Sequence, residues 1–360
     1  MKILHVSHSL PDNRVKCSAY SAYRHGYEVF FAGPSGKKNT NFFIKTYKLH
    51  FTRATNLGIF YWWNKIRKKF KEVIQDCDPE VIHAHDIIAG KLACEFNVPF
   101  IYDDHEYWSA QAKMVSLTMK PTHILRRIIW PRWEQEILSR AYAVITVSEP
   151  IANAHRKICE NVYVIPNVPI LKEIKDIKVD RANIPGILSS VVINRFSSTS
   201  LPHRNTKGFL KLFIKNDIGK LTVIGDDNLR TNPPIYSLGY IPSYRKMLLE
   251  LIKHHIGIVP FRRHWYHKYC SLNKVFDYIH AGLLVLLNSS HEYLIKILRH
   301  YCVTFDDYKH LTRLLLYYKE KKDELIKMKD KIQDYARKNL IWEKYEKILI
   351  KAYKQATLST

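Results

Sequence analysis

The chain is short of acid. Its 33 Asp and Glu face 57 Lys and Arg, which leaves a formal net charge of +24. A deficit of this size selects anionic partners, whether nucleic acid, acidic lipid or a phosphorylated substrate, and charge alone does not choose among them. The chain also lacks any run approaching the ~20 uninterrupted apolar residues that a membrane span needs. No apolar stretch and cleavage site open the sequence; Lys2 to His8 reads directly as a strand. These absences predict a mature protein that starts at Met1 and stays in the cytoplasm. Cysteine is scarce: Cys17, Cys77, Cys94, Cys159, Cys270 and Cys302 form no Cys-x-x-Cys pair. A zinc ribbon or disulfide framework is therefore not expected, and four of the six sit in apolar or helical patterns, as buried thiols do. Apolar material is plentiful, with 46% hydrophobic and 12% aromatic residues in 360. That composition argues against disorder, and the length favours two domains.

Short apolar runs alternate with longer helix-compatible segments, the pattern of βα units and parallel sheets. In the first half the expected strands are Ile3–Ser7, Glu28–Ala32, Val81–His85, Phe100–Asp103, Ala143–Val147 and Val162–Ile165. In the second they are Leu188–Ile193, Leu221–Ile224, Ile235–Leu238, Ile256–Val259, Leu284–Leu287 and Cys302–Phe305. They are rich in Val and Ile, as strands covered on both faces are. Pro166-Asn167-Val168-Pro169 and the mixed-charge stretch Lys172–Arg181 read as an interdomain linker. From Lys309 to Lys354 the sequence turns helical. Its last part, Leu340–Tyr353, places Leu340, Ile341, Tyr345, Ile348, Leu349 and Ala352 on one apolar face that must dock.

Two polar clusters follow successive strands: His83-Ala84-His85-Asp86 and Tyr102-Asp103-Asp104-His105-Glu106. In open α/β sheets, ligands bind beyond the carboxyl ends of strands, so both clusters would face one crevice. These residues serve equally as helix caps and loop ties. A metal site that recruits Asp86, Asp104 and Glu106 is a third reading, but no third ligand has a diagnostic spacing. The pairs Asp103-Asp104, Asp226-Asp227 and Asp306-Asp307 read better as loop residues, and no metal is expected.

These motifs resemble those of glycosyltransferase family 4. Its first domain carries Asp-x-Arg-Val, His-Ala-His-Asp and Tyr-Asp-x-His-Glu elements, matched here by Asp12–Val15, His83–Asp86 and Tyr102–Glu106, and by Val147-Ser148 leading to Ile165–Pro169. Lys207-Gly208, Val223-Ile224-Gly225, Ser271–Tyr278 running to Ala281-Gly282, and Ile341-Trp342-Glu343 continue the match. The resemblance implies the α/β GT-B fold: two Rossmann-like domains with a cleft between them and a C-terminal helix crossing back to the first. The corresponding limits are 1–170, 171–338 and 339–360. It implies a retaining enzyme that moves a sugar from a nucleotide-diphosphate sugar to a saccharide or lipid-linked acceptor, in surface polysaccharide or glycoconjugate synthesis. No cofactor or metal is implied.

The resemblance assigns catalysis to His105, Arg195 and Lys207, and donor contacts to Asp277, Asn273, Lys274, Tyr269, Gly225 and Arg204. Acceptor-side roles fall to His85, Asp86, Glu106 and Arg14. A planar guanidinium and a compact ammonium suit diphosphate oxygens, and the helix opening near Ser271–Asn273 adds backbone N–H groups. The sequence departs from the family at several points. Tyr269 and Asp277 stand where two glutamates are usual, Asn194 replaces the glycine before Arg195, and eleven residues, Phe196 to Thr206, separate Arg195 from Lys207. His203 and Arg204 lie in that longer loop, so phosphate contacts are redistributed among Arg195, Arg204 and Lys207. Ser9-Leu10-Pro11 lacks the paired glycines of many relatives.

Basic residues interleave with aromatics in Tyr61–Lys71 and Lys120–Trp133, a pattern that suits an anionic membrane interface as well as packing under solvated lysines. Nucleic-acid binding is the rival reading of the charge, but no helix-turn-helix, zinc-finger or RNP signature is present. The same scaffold would also suit a sugar-nucleotide epimerase or a catalytically degenerate relative that kept the fold.

Overall fold

A computed structural model describes residues 1–34, 41–51, 58–114, 121–180, 187–197 and 201–358. It divides into two compact units, 1–166 with 342–360, and 167–341.

The first unit is built on a seven-stranded, all-parallel sheet of order β3-β2-β1-β4-β5-β6-β7. The strands are β1 (Lys2–Ser7), β2 (Glu28–Gly33), β3 (Lys45–Lys48), β4 (Val81–His85), β5 (Phe100–Asp104), β6 (Ala143–Thr146) and β7 (Val162–Val164). The second unit holds a six-stranded parallel sheet of order β10-β9-β8-β11-β12-β13. Its strands are β8 (Ser189–Ile193), β9 (Lys220–Ile224), β10 (Ile235–Ser237), β11 (Ile256–Ile258), β12 (Leu284–Asn288) and β13 (Cys302–Phe305). Each order reverses once, at β1/β4 and at β8/β11, and such a reversal is where doubly wound sheets open a crevice.

Alternation along the central strands sorts the side chains of the first unit. Successive residues of a strand point to opposite faces. Leu4, Val6, Ile82, Ala84 and Tyr102 therefore share one face, which packs with Ile66, Phe70, Val73 and Cys77 of the helix Gly58–Cys77. Those four recur at helical spacing, so one stripe of that helix enters the core. Burying a ring such as Phe70 stabilises the unit by roughly 2–3 kcal/mol. The other face carries His5, His83, His85 and Asp103. Register aligns His5 with His83 and His85 with Asp103. Two helices cover this polar face. Asn13–Arg24 begins on an Asp12 cap that accepts from the Val15 N–H, and Glu346–Thr357 buries Leu349, Ile350, Ala352, Tyr353 and Ala356. The Trp342 indole N–H donates to Ser21 at 2.7 Å and ties the chain end to the first of these helices.

Four expectations need correction. β3 carries no apolar run; it is an edge strand with Lys45 and Lys48 exposed, and only its pairing with β2 reveals it. Asp103 and Asp104 are not loop residues but the buried end of β5. The last helix starts at Glu346 rather than Leu340, because Trp342–Lys344 forms a 3₁₀ turn. Lys172–Asp180 is not a solvated run: Ile174 and Ile177 are buried, and Arg337 donates to both of their carbonyls. Arg181 at its end, Lys120, and Ser198–Ser200 within the longer loop lie outside the described residues. The six cysteines are free thiols.

Candidate active site

In the first unit the ends of β4 and β5 deliver the polar cluster. Asp103 is its centre. One oxygen, Oδ1, accepts from Arg14 Nε at 2.8 Å and lies 2.7 Å from Nη2 of the same guanidinium. The other, Oδ2, lies 3.4 Å from His83 Nε2, 3.4 Å from His85 Nδ1 and 3.7 Å from His105 Nε2. Burial works against the Asp103 carboxylate, but Arg14 and His105 hold its pKa well below the usual range. Arg14 is itself buried and also donates to the Ile165 carbonyl at 2.7 Å. It therefore secures the strand ends from within the unit.

His105 follows β5 and is mostly buried. Burial disfavours its imidazolium, yet the carboxylates of Asp86, Asp103 and Asp12 outweigh this and raise its pKa to about 9. Its Nδ1 lies 3.6 Å from Asp86 and 3.7 Å from Asp12. Asp86 opens the helix Asp86–Ala93 with φ of +67°, a left-handed conformation that is strained for a residue with a Cβ. Burial lifts its pKa to about 7 against the pull of His105. Glu106 accepts from the Gln111 side chain and adds to the negative charge around Asp86. His85 is fully buried, its pKa pushed down to about 3 by burial and by His83. It bridges His5 at 3.0 Å and His105 at 3.2 Å, and Tyr353 holds His83 Nδ1 at 2.5 Å. The structure thus brings His85, Asp86, His105 and Arg14 together around Asp103.

In the second unit the site grows from the carboxyl ends of β8 and β9. The helix Asn273–His280 points its first turn at them. Lys274 reaches across to donate to the Ile193 carbonyl, with Asn194 Oδ1 at 3.4 Å and the Phe261 ring 4.9 Å from the ammonium. Burial, then the charge of Arg204, lower its pKa to about 7, with Asp277 opposing. Asp277, one helical turn on, accepts from the Tyr244 hydroxyl at 3.0 Å, and burial raises its pKa to about 7. Lys274 therefore feels the charges of both Arg204 and Asp277.

Arg195 is exposed at the end of β8 and donates from Nε to the Gly225 carbonyl at 3.3 Å. Gly225 has φ of +99°, which a Cβ would strain, and its N–H donates to Gly239. Asp226 ties the start of the longer loop by accepting from the Phe196 and Ser197 N–H groups at 2.7 and 2.8 Å. Lys207 is exposed; its carbonyl accepts from Arg262 at 2.8 Å, and Gly208 behind it caps the helix Phe209–Lys215. Tyr269 closes the 3₁₀ turn Trp265–Tyr269 with the Lys268 ammonium 5.1 Å from its ring, and Asn273 is exposed. The contacts link Arg195, Gly225, Lys274, Asp277 and Arg204 through neighbouring strand ends. Among the described residues, no bond runs from the Lys207 ammonium to that group.

Sequence reasoning missed His267, His291 and Tyr244. His267 Nε2 donates to the His203 carbonyl at 2.6 Å, and its ring stacks on His291 at 4.1 Å. Burial lowers the pKa of all three histidines. This bond holds the turn Pro202–Arg204, and hence Arg204, against the turn Trp265–Tyr269. Unusual histidine density in residues 264–267 was the one available signal.

The architecture recurs in solved structures. Sucrose-phosphate synthase from Thermosynechococcus elongatus superposes over 100% of both chains with a TM-score of 0.76 at 15% identity. The Anabaena protein HepE in complex with UDP-glucose covers 99% of this chain and 100% of its own, with a TM-score of 0.67 at 12% identity. An E. coli trehalose-6-phosphate protein bound with UDP-2-fluoro glucose covers 99% of both, with a TM-score of 0.70 at 12% identity. Among curated protein sequences, none matches this one significantly. With two parallel doubly wound sheets and these neighbours, the chain has the GT-B fold. Residues 19–168 match the family model described as Glycosyltransferase Family 4, so the first unit carries that family's domain.

Proposed function

We propose that this chain is a glycosyltransferase that takes its sugar from a nucleotide-diphosphate donor and transfers it with retention to a saccharide or lipid-linked acceptor. One observation carries the reading: a half-buried ammonium, Lys274, sits beyond the strand ends of the second unit and feels the charges of Arg204 and Asp277. Bond cleavage at an anomeric carbon puts charge on the departing diphosphate, and fixed cations that meet this charge lower the barrier. Arg195 and Lys207 add exposed cations to the same unit. In this reading Asp277 accepts from vicinal ribose hydroxyls, and Tyr269 bonds the sugar. With retention, the departing diphosphate itself helps deprotonate the incoming hydroxyl on the same face. No protein nucleophile is then required, and His105 of the first unit is the group suited to charge on the transferred sugar. The UDP and UDP-sugars bound by HepE and the trehalose-6-phosphate protein favour a uridine nucleotide.

A thermal-shift panel of UDP-, GDP- and ADP-sugars tests this, because a ligand that binds the folded state raises its apparent stability. We expect a rise with UDP-sugars that is lost in Lys274→Met and Asp277→Ala. No rise with any of the three classes would sink the reading.

The membrane-linked form of the acceptor has its own support. Helix Gly58–Cys77 exposes Lys65, Arg67, Lys68, Lys69 and Lys71, and helix Pro121–Arg140 exposes Leu125, Arg126, Arg127, Ile128 and Arg132. The two helices meet through Trp63 and Trp133, 5.3 Å apart. Among the described residues no helix is long and apolar enough to cross a membrane. This face instead combines cations with exposed aliphatics, as interfacial binding requires. Cosedimentation with anionic vesicles that declines as salt rises is the expected outcome.

A further inference from the structure

We propose that Glu134, on the helix Pro121–Arg140, is a positioning residue for His105 and acts through the backbone that follows it. The inference rests on the reading of His105 as the group that meets charge on the transferred sugar, and it explains how that imidazole is kept in place. The contacts of His105 itself are loose. They run at 3.2 Å to His85, 3.6 Å to Asp86, and 3.7 Å to Asp12 and Asp103. A charge-assisted bond closes at about 2.7–2.9 Å. None of these contacts fixes the ring, so the chain that carries it must.

That chain is pinned on both sides of His105. Before it, the Asp104 carboxylate accepts from the Tyr102 hydroxyl at 2.9 Å and from His155 Nε2 at 2.7 Å. The Asp104 carbonyl also accepts from the Thr146 hydroxyl at 3.3 Å. After it, the N–H groups of Trp108 and Ser109 donate to the Glu134 carboxylate at 3.1 and 3.3 Å. Trp108 and Ser109 open the helix Trp108–Ala112, and the leading N–H groups of a helix have no partner within it. Tyr107, at the cap position, gives them no side-chain bond. Glu134 supplies the acceptor from another helix, and its negative charge suits the positive end of that turn.

The surrounding contacts tighten the same joint. Trp130, about one turn before Glu134, meets Trp108 edge-on, with ring centres 4.8 Å apart. Tyr107 meets His155 in the same manner at 5.4 Å. Glu134 is 3% exposed, His155 1% and Asp104 0%, so water does not compete for these bonds. Only His105, Glu106 and Tyr107 lie between the two pins. So short a span leaves the imidazole little freedom while both hold, and loss of either releases it.

NMR titration of histidine side chains in the full chain reads the surroundings of His105, its signal being assigned by loss in His105→Ala. Against burial, the carboxylates of Asp86, Asp103 and Asp12 hold its pKa at about 9. A ring that slips from among them titrates lower, so Glu134→Leu should bring the value down by about one unit or more. Glu134→Gln removes the same charge but keeps an acceptor oxygen for the two N–H groups, and should keep the native value. A residue that only supports the fold would lower the unfolding midpoint in Glu134→Leu and leave the His105 titration of the folded protein unmoved; that result overturns the proposal. So does an equal fall in Glu134→Gln and Glu134→Leu, which would trace the effect to charge instead of the grip on the backbone. If circular dichroism shows Glu134→Leu unfolded, Glu134→Asp carries the test. Its carboxylate is one methylene too short for both N–H groups, so the same fall is expected and an unmoved titration again overturns the proposal. No nucleotide sugar enters this titration. UDP-sugar binding, whose proposed contacts lie in the second unit, is measured separately, and its absence from the native protein would count against the donor reading alone.

Discussion

The two units hold their polar groups in opposite ways. In the first, the central charges of the cluster are enclosed and answered: Arg14 by Asp103, and His105 by Asp103, Asp86 and, from the surface, Asp12. In the second, the half-buried Lys274 ammonium feels the exposed Arg204, and Arg195 and Lys207 add further cations that face water. A closed network fixes geometry. An open excess of positive charge waits for an anion. The largest expected effects follow from breaking the closed one.

Removing one partner of a buried ion pair leaves the other charge stranded, at a cost of about 3–5 kcal/mol. Asp103→Ala and Arg14→Met should each destabilise the protein by that order in urea unfolding. Lys207→Ala, at an exposed position, should stay within about 0.5 kcal/mol. If Asp103→Ala were as mild as Lys207→Ala, the enclosed network would not be holding the strand ends.

The reverse is expected for donor affinity. Lys274→Met replaces a half-buried ammonium by an apolar chain of similar length. Loss of a charge-assisted contact should lower UDP-sugar affinity at least about tenfold, that is ~1.4 kcal/mol or more. Stability should change much less than in Asp103→Ala, since the variant no longer buries a cation. Equal donor binding by Lys274→Met would move the phosphate site to the exposed cations.

How far the sequence discloses this contrast depends on distance along the chain. The strand ends can be read because Val81–His85 and Phe100–Asp103 are compact β-branched and apolar runs that stop at polar residues. The resemblance then supplies roles for His105 and Asp277. The closed network is not readable. Arg14 and Asp103 are 89 residues apart, and Tyr353 meets His83 across 270. His5 looks like an ordinary strand residue until register sets it beside His83. In the second unit the hold of His267 on Arg204 runs through a backbone carbonyl, which no side-chain pattern marks. β3 is invisible for a different reason: as a short edge strand it buries little, so no apolar run is needed.

Titration sharpens the comparison in the second unit. Asp277 has a folded pKa of about 7, above its unfolded value of 3.8. The folded state therefore binds more protons between those values, and this group's contribution to stability falls as pH rises from about 4 to 7. Lys274 has a folded pKa of about 7, below its unfolded 10.5, so its contribution rises as pH climbs from about 7 towards 10. The pair should place a shallow minimum near neutrality. Urea unfolding at pH 5, 7 and 9 reads it: Asp277→Asn should flatten the acid limb, and Lys274→Met the alkaline one. An unchanged acid limb in Asp277→Asn would show that the carboxylate is not held in an apolar setting.

The smallest effect isolates backbone from side chain at the strand end that carries Arg195. A Cβ on Gly225 would meet nothing nearer than the Asn194 carbonyl at 4.0 Å, so space does not demand glycine there. Its φ of +99° does. Gly225→Ala should therefore cost about 1 kcal/mol from conformation alone. Gly257 provides the contrast, because an added Cβ would sit 2.3 Å from the Tyr278 ring, and Gly257→Ala should cost distinctly more through overpacking. Gly225 N–H and carbonyl bond Gly239 and Arg195 respectively. Arg195 should thus shift with the strained turn, and Gly225→Ala should weaken UDP-sugar binding more than a surface substitution of equal stability cost. Donor affinity that tracks stability alone across such a pair would mean that the β9 turn does not aim Arg195.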